Sequence, residues 1–502
     1  MTGLAQYPPL NHTTDSKDPA SAKGYKWIVL LIACIGSLMG PLDSTIVSVS
    51  LPIISEDLGM DYATSIWIPT AYLVVLAALL LTVGRLSDIR GRKPIFIAGF
   101  AIFVLGSLLC SISQTGEQII AFRVVQGVGA AFIMATSTAI ITGTFPASER
   151  GKALGINTMS VYIGLTVGPP LGAFLTGSLG WPSIFWVNIP IGALVIALAW
   201  WKLREPSLGR NREPFDVVGT VTFAVGLVSL LIFLTLGERR GWGDPSISLF
   251  LAVSVLAFAA FLVAEKRMGP KAMLNLQLIT RNRLFAAANI STLLNYTAYF
   301  GVSFILSFYM QRVLGFDLYL TGVVLLSMPL VMSILSPVSG WLSDRIGSRI
   351  LASSGMFLVA LGLLLLSTLG ENSTSAAIVA YLVVIGVGMG LFASPNTSAV
   401  MGCVERTQLG VASGTLSTMR TVGQSLSLAV MGAMIATAAS TELLSSLFMG
   451  MPLADGGEAA SEFVRGMALA FQVSAGIAVV GALTSLARGP SPAQCIVEQP
   501  VK

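Results

Sequence analysis

The chain has 502 residues, of which 54% are hydrophobic and 11% are charged, and its mean hydropathy is +0.81. A soluble protein needs about 25% charged residues to hydrate its surface, so this composition excludes a water-soluble globular fold. The formal net charge is +5, but the basic residues lie in short clusters between apolar runs. We therefore expect a lipid-facing surface and no nucleic-acid partner.

Several kinds of chemistry are excluded by the residues that the chain lacks. The single histidine, His12, lies in a polar N-terminal stretch, so a histidine proton relay inside the membrane is excluded. The four cysteines have the spacing of neither a metal site nor a disulfide framework. The sequence contains no Gly-x4-Gly-Lys-Ser/Thr phosphate loop, no cluster of metal ligands and no Ser/His/Asp set. We expect no metal, no cofactor and no enzyme activity.

In chain order, the first predicted element is a disordered cytoplasmic tail at residues 1–25, which is polar and contains proline. Apolar runs of about 20 residues, the length of a helix that crosses a bilayer, then recur along the rest of the chain. They predict an all-α integral membrane protein with fourteen membrane spans. These lie at 27–50, 64–84, 95–113, 117–143, 151–178, 183–203, 217–236, 246–264, 285–310, 318–341, 350–369, 375–400, 408–438 and 464–487.

The charges in the loops test this number of spans, because a missed span would reverse the sidedness of every later loop. With the N-terminus in the cytoplasm, most lysines and arginines fall in cytoplasmic segments, and the external loops are rich in acidic residues. Fourteen spans then place both termini on the cytoplasmic side of a cell membrane. The basic residues left outside are Arg239, Arg240, Arg312 and Arg465, and the external acidic residues include Glu56, Asp57, Asp61, Glu442, Asp455, Glu458 and Glu462.

Two parts of the chain repeat each other. GRLSDIRGRK at 84–93 matches GWLSDRIGSR at 340–349, and the glycine and alanine pattern at 151–164 returns at 410–423. Matches in the same order at nearly one offset predict two homologous six-helix bundles, with a substrate cavity between them near the bilayer midplane. The predicted parts are a tail at 1–25, a bundle at 26–203, two inserted helices with linkers at 204–284, a bundle at 285–488 and a cytoplasmic tail at 489–502.

The repeated loop predicts a conformational latch. Asp88 follows Gly84 by four residues, so a neighbouring helix can approach closely and donate hydrogen bonds from its N-terminus to the carboxylate. Arg92 adds a charge pair that breaks when the halves separate. Positive-inside anchoring alone explains the basic residues but not the repeated spacing of glycine and aspartate. The predicted latch residues are Gly84, Asp88, Gly91, Arg92, Gly340, Asp344 and Gly347.

This loop resembles the hallmark motif of the major facilitator superfamily. Span 1 carries Leu42-Asp43-Ser44-Thr45-Ile46-Val47, span 4 carries Arg123-Val-Val-Gln126-Gly127-Val-Gly129, and residues 185–192 read Phe-Trp-Val-Asn-Ile-Pro-Ile-Gly. Together these motifs resemble the fourteen-helix drug:H+ antiporter branch (EmrB/QacA-like), over roughly residues 25–488. The resemblance implies that Gly164, Gly168, Pro169, Pro170 and Gly172 of span 5 form an antiporter motif; a generic packing kink is the alternative.

Asp43 is the residue expected to couple transport to protons, because it is the carboxylate placed well inside a predicted span, where an ionised group is costly and usually functional. The alternative is an aspartate merely hydrogen-bonded near a helix break at Pro41. Arg123 needs a carboxylate, carbonyls or water, and the resemblance implies that it is a partner in proton transfer. Snorkelling of Arg123 to the membrane interface is its alternative. Gln126, one turn further on, can share the network.

Aromatic and amide side chains in the second half suit an amphipathic organic substrate, although such residues also pack helices. Arg420 in span 13 has no carboxylate in its own span. It either pairs with helix C-terminal carbonyls or helps to hold an anion, and both alternatives stay open. The candidates for the substrate cavity are Asn289, Asn295, Tyr296, Tyr299, Phe304, Phe308 and Arg420, together with Tyr309 and Gln311.

These features predict a monomeric, proton-coupled exporter of lipophilic small molecules that works by alternating access. A dication needs more than one buried negative charge, so the lone Asp43 predicts neutral or monovalent cationic substrates. A dedicated exporter of one metabolite, lipid or antibiotic is the alternative within the same fold. A non-transporting membrane receptor or scaffold is the alternative of another class, although a scaffold needs neither the latch loops nor the Asp43/Arg123 pair.

Overall fold

Every secondary-structure element that the structure describes is helical. The structure is a computed structural model that describes residues 24–60, 62–65, 67–204, 216–240, 243–268, 280, 282–438 and 458–489. Most of both predicted tails lies outside these residues, as do much of the linkers at 204–284 and the loop that contains Glu442 and Asp455.

The helices of the first half and the insertion follow the apolar runs of the sequence. The first half contains α1 (Tyr25–Asp57), α2 (Tyr62–Ser65), α3 (Trp67–Arg90), α4 (Arg92–Ser111), α5 (Gly116–Thr144), α6 (Arg150–Leu179), α7 (Ser183–Trp186) and α8 (Asn188–Lys202). The insertion contributes α9 (Val217–Arg240) and α10 (Pro245–Met268).

The second half begins with α11 (Arg283–Tyr299) and α12 (Val302–Phe308), which leads into a π-helical turn at Tyr309–Val313. It continues with α13 (Leu318–Ile346), α14 (Ser348–Leu366), α15 (Ser375–Gly402), α16 (Leu409–Ala438) and α17 (Glu458–Leu486).

The helices identify a multi-pass membrane protein. All fourteen predicted spans fall on helices, and 12 stretches within the described residues are long and apolar enough to cross a membrane. The other two are α9, whose apolar part is the shorter Val217–Phe233, and α16. Helix α16 is rich in serine, threonine and glycine and packs against α3, α11 and α17. Because these neighbours cover much of it, α16 needs less apolar surface than a lipid-facing helix, and the fourteen-span count stays a prediction.

The helices pack in two groups that meet at two similar contacts. In the first half, α1 lies along α6, while α3 and α4 lie along α5. In the second half, α13 and α14 lie along α15, and α14 also lies along α17. The groups meet where α3 packs on α16 and where α6 packs on α13. Helices α9 and α10 pack on each other, and α9 also contacts α3 and α16.

An apolar cluster closes one side of the interface between the groups. We call this the N-terminal side, because α1 begins there and α3 and α13 end there. Leu30 of α1 and Leu154 of α6 pack with Phe285 of α11 and Leu409 and Leu416 of α16 in one buried cluster. The structure is therefore closed on its N-terminal side.

Candidate functional site

Asp43 and Arg123 form an ion pair inside the first group of helices. Asp43 lies on α1 with 2% exposure, and Arg123 lies fully buried on α5. Arg123 Nη1 donates a hydrogen bond to Asp43 Oδ2 at 2.6 Å. The side-chain amides of Gln126 and Asn188 both donate to Asp43 Oδ1 at 2.9 Å. One cation and two amides thus compensate the buried carboxylate, as a buried charge requires.

Arg123 also connects this pair to α3. Its Nε donates to the carbonyl of Ile68 at 3.2 Å, and its guanidinium lies 4.3 Å from the ring centroid of Tyr72. Nη1 donates a second bond to the side-chain carbonyl of Gln126. The guanidinium therefore points into the bundle and joins α1, α3 and α5.

Three members of this network had no role assigned from the sequence. The Asn188 amide and the Ser107 hydroxyl are fully buried, and Ser107 accepts from Gln126 at 2.8 Å and from Asn188 at 3.3 Å. Asn188 stands in an apolar run at the start of α8, and an isolated amide there is a signal that could have identified it. Ser107 and Tyr72 lie in spans that contain several similar residues, so their sequence positions carry no comparable signal.

Loss of Arg123 is expected to destabilise the fold. In Arg123→Gln, the Asp43 carboxylate keeps its burial but loses its cation, which costs about 3–5 kcal/mol of unfolding free energy. The measurement is thermal stability in detergent, followed by size-exclusion chromatography. The double variant Asp43→Asn/Arg123→Gln removes the uncompensated charge and should recover most of the loss. Arg267→Gln changes an exposed arginine of α10 and serves as the control; equal stability of Arg123→Gln and Arg267→Gln would contradict the expectation.

A glycine stripe on α6 lies against the part of α1 that carries Asp43. Gly164, Gly168 and Gly172 follow one another at a spacing of one turn. A Cβ at Gly164 would lie 2.8 Å from a carbonyl oxygen of α1, one at Gly172 would lie 3.1 Å from α1 backbone, and one at Gly168 would overlap the Thr45 side chain. The stripe therefore allows the backbones of α1 and α6 to approach closely.

Pro169 and Pro170 lie inside α6 beside this stripe. Neither has a backbone N–H, so two hydrogen bonds are missing from the helical ladder at this level. Helix α6 continues through them from Arg150 to Leu179.

The repeated loop of the first half binds the beginning of α16. Asp88 Oδ1 accepts from the Gly410 amide at 2.8 Å, and Oδ2 accepts from the Val411 amide at 2.9 Å. Arg92 Nη2 lies 3.3 Å from Asp88 Oδ1. A Cβ at Gly84 would overlap the Gly410 carbonyl oxygen, so the two backbones touch at this point.

The repeated loop of the second half binds the beginning of α6 in the same way. Asp344 accepts from the amides of Gly151 at 2.8 Å and Lys152 at 3.0 Å. A Cβ at Gly340 would overlap the Gly151 carbonyl oxygen. Ser348 occupies the position that corresponds to Arg92, so the charge pair within the first loop is not repeated here, and the positive charge near Asp344 is that of Arg150 at the start of α6.

Two glycines set the turn that follows each aspartate. Gly91 has a φ of +98° and Gly347 a φ of +86°, values at which a side chain is strained. Arg92 comes directly after Gly91, is 6% exposed, and donates to the Arg406 carbonyl and, at 3.5 Å, to the Ala139 carbonyl. The structure thus brings all the predicted latch residues to the N-terminal side.

The candidates for substrate contacts occupy different surroundings. Four residues of α11 are at most 6% exposed. Phe304 is 48% exposed and meets the partly buried Phe308 edge to face, with the ring centroids 5.0 Å apart. The Tyr309 hydroxyl donates to the Gly370 carbonyl at 2.5 Å, so it belongs to the packing of the second half. The four buried residues are Asn289, Asn295, Tyr296 and Tyr299.

Arg420 lies on α16 where this helix meets α11. Its guanidinium is 5.2 Å from the ring centroid of Tyr296, and the side chain is partly buried. Within the described part of the chain, it forms neither an ion pair with a carboxylate nor a hydrogen bond with a helix carbonyl. Its electrostatic neighbours are the tyrosines Tyr162, Tyr296 and Tyr299.

Known proteins resemble this chain in sequence and in fold. The riboflavin transporter RibZ of Clostridioides difficile is 33% identical over 401 residues, which cover 80% of this chain and 86% of RibZ. The multidrug resistance protein Stp of Mycobacterium tuberculosis is 32% identical over 426 residues, which cover 85% of this chain and 79% of Stp. The crystal structure of the human organic anion transporter MFSD10 aligns with a TM-score of 0.63 over 92% of this chain and 99% of that chain. At 15% sequence identity, this last likeness shows the fold alone.

The family profile described as Major Facilitator Superfamily matches residues 33–428 and 288–493. These matches overlap and together extend over both groups of helices. The chain belongs to the major facilitator superfamily and is a membrane transporter, not an enzyme.

Proposed function

We propose that this transporter is a proton-coupled exporter of lipophilic small molecules and that it works by alternating access. The observation that carries the proposal is the buried Asp43 carboxylate, which is paired with Arg123 at 2.6 Å. A titratable group inside a membrane protein marks an ion pathway more often than a packing contact. The relative Stp, which is named a multidrug resistance protein, supports export of drug-like compounds.

The proposed topology has fourteen spans, with the N-terminal side and both termini in the cytoplasm. Helix α16 packs beside α3, α11 and α17, which supports its crossing of the membrane with them. Helix α9 packs along α10, which has the length and hydropathy of a span. The excess of lysine and arginine in the loops on this side supports the orientation.

Competition between a proton and Arg123 for Asp43 provides the coupling step. When Asp43 gains a proton, it loses the charge that holds the Arg123 guanidinium. Arg123 also binds the Ile68 carbonyl and stacks on Tyr72, so its release changes the restraint on α3. Tyr72 and Asp88 lie on this same helix, about 24 Å apart along its axis. A movement of α3 on protonation of Asp43 can therefore change the contacts of Asp88 in the latch.

The latch residues then set which side is open. Four hydrogen bonds, two to Asp88 and two to Asp344, join the halves on the N-terminal side. Opening toward the cytoplasm requires these bonds and the glycine contacts beside them to separate. Substrate enters from the cytoplasm in that open state, and the closed state described above follows its capture.

Helix α6 provides the second link between coupling and gating. It packs on α1 near Asp43 through the glycine stripe, and its first amides bind Asp344. Because the glycine stripe and the amides that bind Asp344 lie on the same helix, movement of α1 on protonation can shift α6 and so change its hydrogen bonds to Asp344.

The charge of the substrate was predicted from the sequence to be neutral or singly positive. The structure gives this preference no further support, because the carboxylate that would attract a cation is already paired with Arg123. Exclusion of dications stays a prediction. The other carboxylate side chains that are buried among the described residues, those of Asp88, Asp216 and Glu265, lie within a few residues of a helix end.

Two alternatives remain distinct from this proposal. The relative RibZ, which is named a riboflavin transporter, favours a dedicated carrier of one metabolite. A membrane receptor would keep ligand binding without flux, but it has no need for two closing contacts built from the same motif.

Transport into inside-out proteoliposomes tests the proposed function. A panel of neutral, singly charged and doubly charged lipophilic compounds is offered with and without an imposed pH gradient, acidic in the lumen. With the gradient, we expect concentrative uptake of several compounds but little uptake of the dications. Without the gradient, or after a protonophore is added, we expect no concentrative uptake. Uptake that is equal with and without the gradient would contradict proton coupling. Uptake of one metabolite alone would favour the dedicated carrier, and binding without flux would favour the receptor.

A further inference from the structure

We propose that Arg420 and the tyrosines around it form a subsite for a single negative charge on the substrate. The inference rests on the proposed function, because it assigns a chemical class to the molecules that the exporter carries. It predicts that lipophilic acids, with one ionised carboxylate or acidic phenol, bind better than their neutral or cationic analogues, and so replaces the preference for neutral or singly positive substrates that the sequence predicted.

The subsite lies between the halves, in the middle of the membrane. Tyr162, Tyr296 and Arg420 come 12, 13 and 11 residues after the first residues of α6, α11 and α16. All three helices begin on the N-terminal side, so these side chains share a depth of about 17–20 Å. This is close to the centre of a hydrocarbon core about 30 Å thick.

Local packing fixes the position of Arg420 beside Tyr296. Gly423, one turn further along α16, has no room for a Cβ, since that atom would lie 2.7 Å from the Leu293 carbonyl oxygen and 2.9 Å from Tyr296 Cβ. The glycine therefore allows α16 to approach α11 closely at this level. The guanidinium rests 5.2 Å from the Tyr296 ring centroid, which is within the range of a cation–π contact.

The charge of Arg420 has no compensating anion among the described residues. Arginine keeps its proton in proteins, so this cation cannot be removed by deprotonation. Arg123, which is also buried between helices, has the carboxylate of Asp43 at 2.6 Å, whereas the neighbours of Arg420 are the neutral residues Tyr162, Tyr296 and Tyr299. A charge at this depth normally has a partner, and a bound substrate can supply one.

The surrounding groups suit a lipophilic acid. Tyr162 is 2% exposed, and its hydroxyl lies close to the phenol of Tyr296 without a well-formed hydrogen bond. The Nε–H of Arg420 has no hydrogen-bond partner among the described residues. Both can donate to a carboxylate, and a planar guanidinium matches the two oxygens of such a group. The rings of Tyr296 and Tyr299 are 5.4 Å apart and at most 6% exposed, so they can contact the body of the molecule once the side chains that cover them move apart.

Binding to the purified full-length protein in detergent tests the subsite. The probes are pyrenebutyrate, pyrenebutyramide and pyrenebutylammonium, which share one fluorescent scaffold and differ in charge. We expect the wild type to bind the acid about tenfold or more tightly than the amide, and the cation least. Arg420→Gln should lose about tenfold or more in affinity for the acid and less than about threefold for the amide. Arg420→Lys should retain part of the preference, and the matched control Arg267→Gln all of it.

Several outcomes would overturn the subsite. These are equal affinities of the wild type for acid and amide, binding of neither, or an equal loss of both in Arg420→Gln. Binding of the amide that requires chloride would identify a small inorganic anion, not the substrate, as the partner of Arg420. Binding is measured without a pH gradient. A negative result would therefore contradict the subsite but not the proposed function, which the gradient-driven uptake tests separately.

Discussion

Asp43→Asn should abolish concentrative transport while preserving exchange of substrate across the membrane. Asparagine has nearly the shape of aspartate but cannot bind and release a proton, and its side-chain carbonyl can still accept a hydrogen bond from Arg123. The carrier can then reorient with substrate but cannot draw on a pH gradient. In inside-out proteoliposomes, gradient-driven uptake should fall to the level of vesicles without protein, whereas counterflow of labelled substrate should persist.

Two controls separate coupling from folding in this experiment. Asp317→Asn makes the same replacement at an exposed N-cap of α13, where Oδ1 accepts from the Leu320 amide at 2.6 Å, and asparagine caps helices equally well. It should transport as the wild type does. The double variant Asp43→Asn/Arg123→Gln removes the uncompensated cation, and it should fold yet remain uncoupled. Gradient-driven uptake by Asp43→Asn at the wild-type rate would end the assignment of Asp43 as the proton carrier.

Gly84→Ala should open the N-terminal side and reduce transport about tenfold. The added Cβ overlaps the Gly410 carbonyl oxygen, and a backbone atom cannot rotate away as a side chain can. Overpacking of this kind costs about 1–3 kcal/mol of stability. Here only the closed state is destabilised, because Gly84 and Gly410 separate in the open state. Since each 1.4 kcal/mol is a factor of ten in a population, the balance between closed and open states should shift about 5- to 150-fold.

Cys34 reports this opening directly. It is buried in the apolar cluster that closes the N-terminal side, so a polar maleimide should label it only when the halves separate. In a variant that keeps Cys34 as its single cysteine, Gly84→Ala should speed labelling several-fold. The control is Gly476→Ala, because nothing lies within 4 Å of a Cβ at that position of α17. Labelling of Gly84→Ala no faster than the control would contradict the proposed latch.

Local sequence was sufficient to predict the helices and the kind of group that Asp88 meets. The apolar runs located every membrane-length helix to within several residues, because a helix in lipid must be apolar along most of its length. The repeated Gly-x3-Asp spacing predicted a carboxylate that accepts hydrogen bonds from a helix N-terminus, which is the contact made with Gly410 and Val411.

The partners of these groups could not be predicted, because they are tertiary relations between distant positions. Gly84 touches Gly410 and Gly340 touches Gly151, so the loop of each half contacts the glycine pattern of the other half. A single sequence does not indicate which of the two glycine patterns each loop contacts. Asn188 joins Asp43 only because α8 packs beside α1 and α4. The sequence predicted the helix at 408–438, but α16 is less apolar than most of the other predicted spans, because its neighbours bury polar residues that would be costly in lipid.

The most direct test of proton coupling through Asp43 is the proton movement that accompanies substrate. Proteoliposomes that enclose a pH-sensitive dye receive a substrate gradient with no imposed pH gradient, and the membrane potential is clamped. The account predicts that the wild type moves protons in the direction opposite to substrate, in proportion to substrate flux, and that Asp43→Asn moves none. Substrate flux through the wild type without any change in luminal pH would contradict the account.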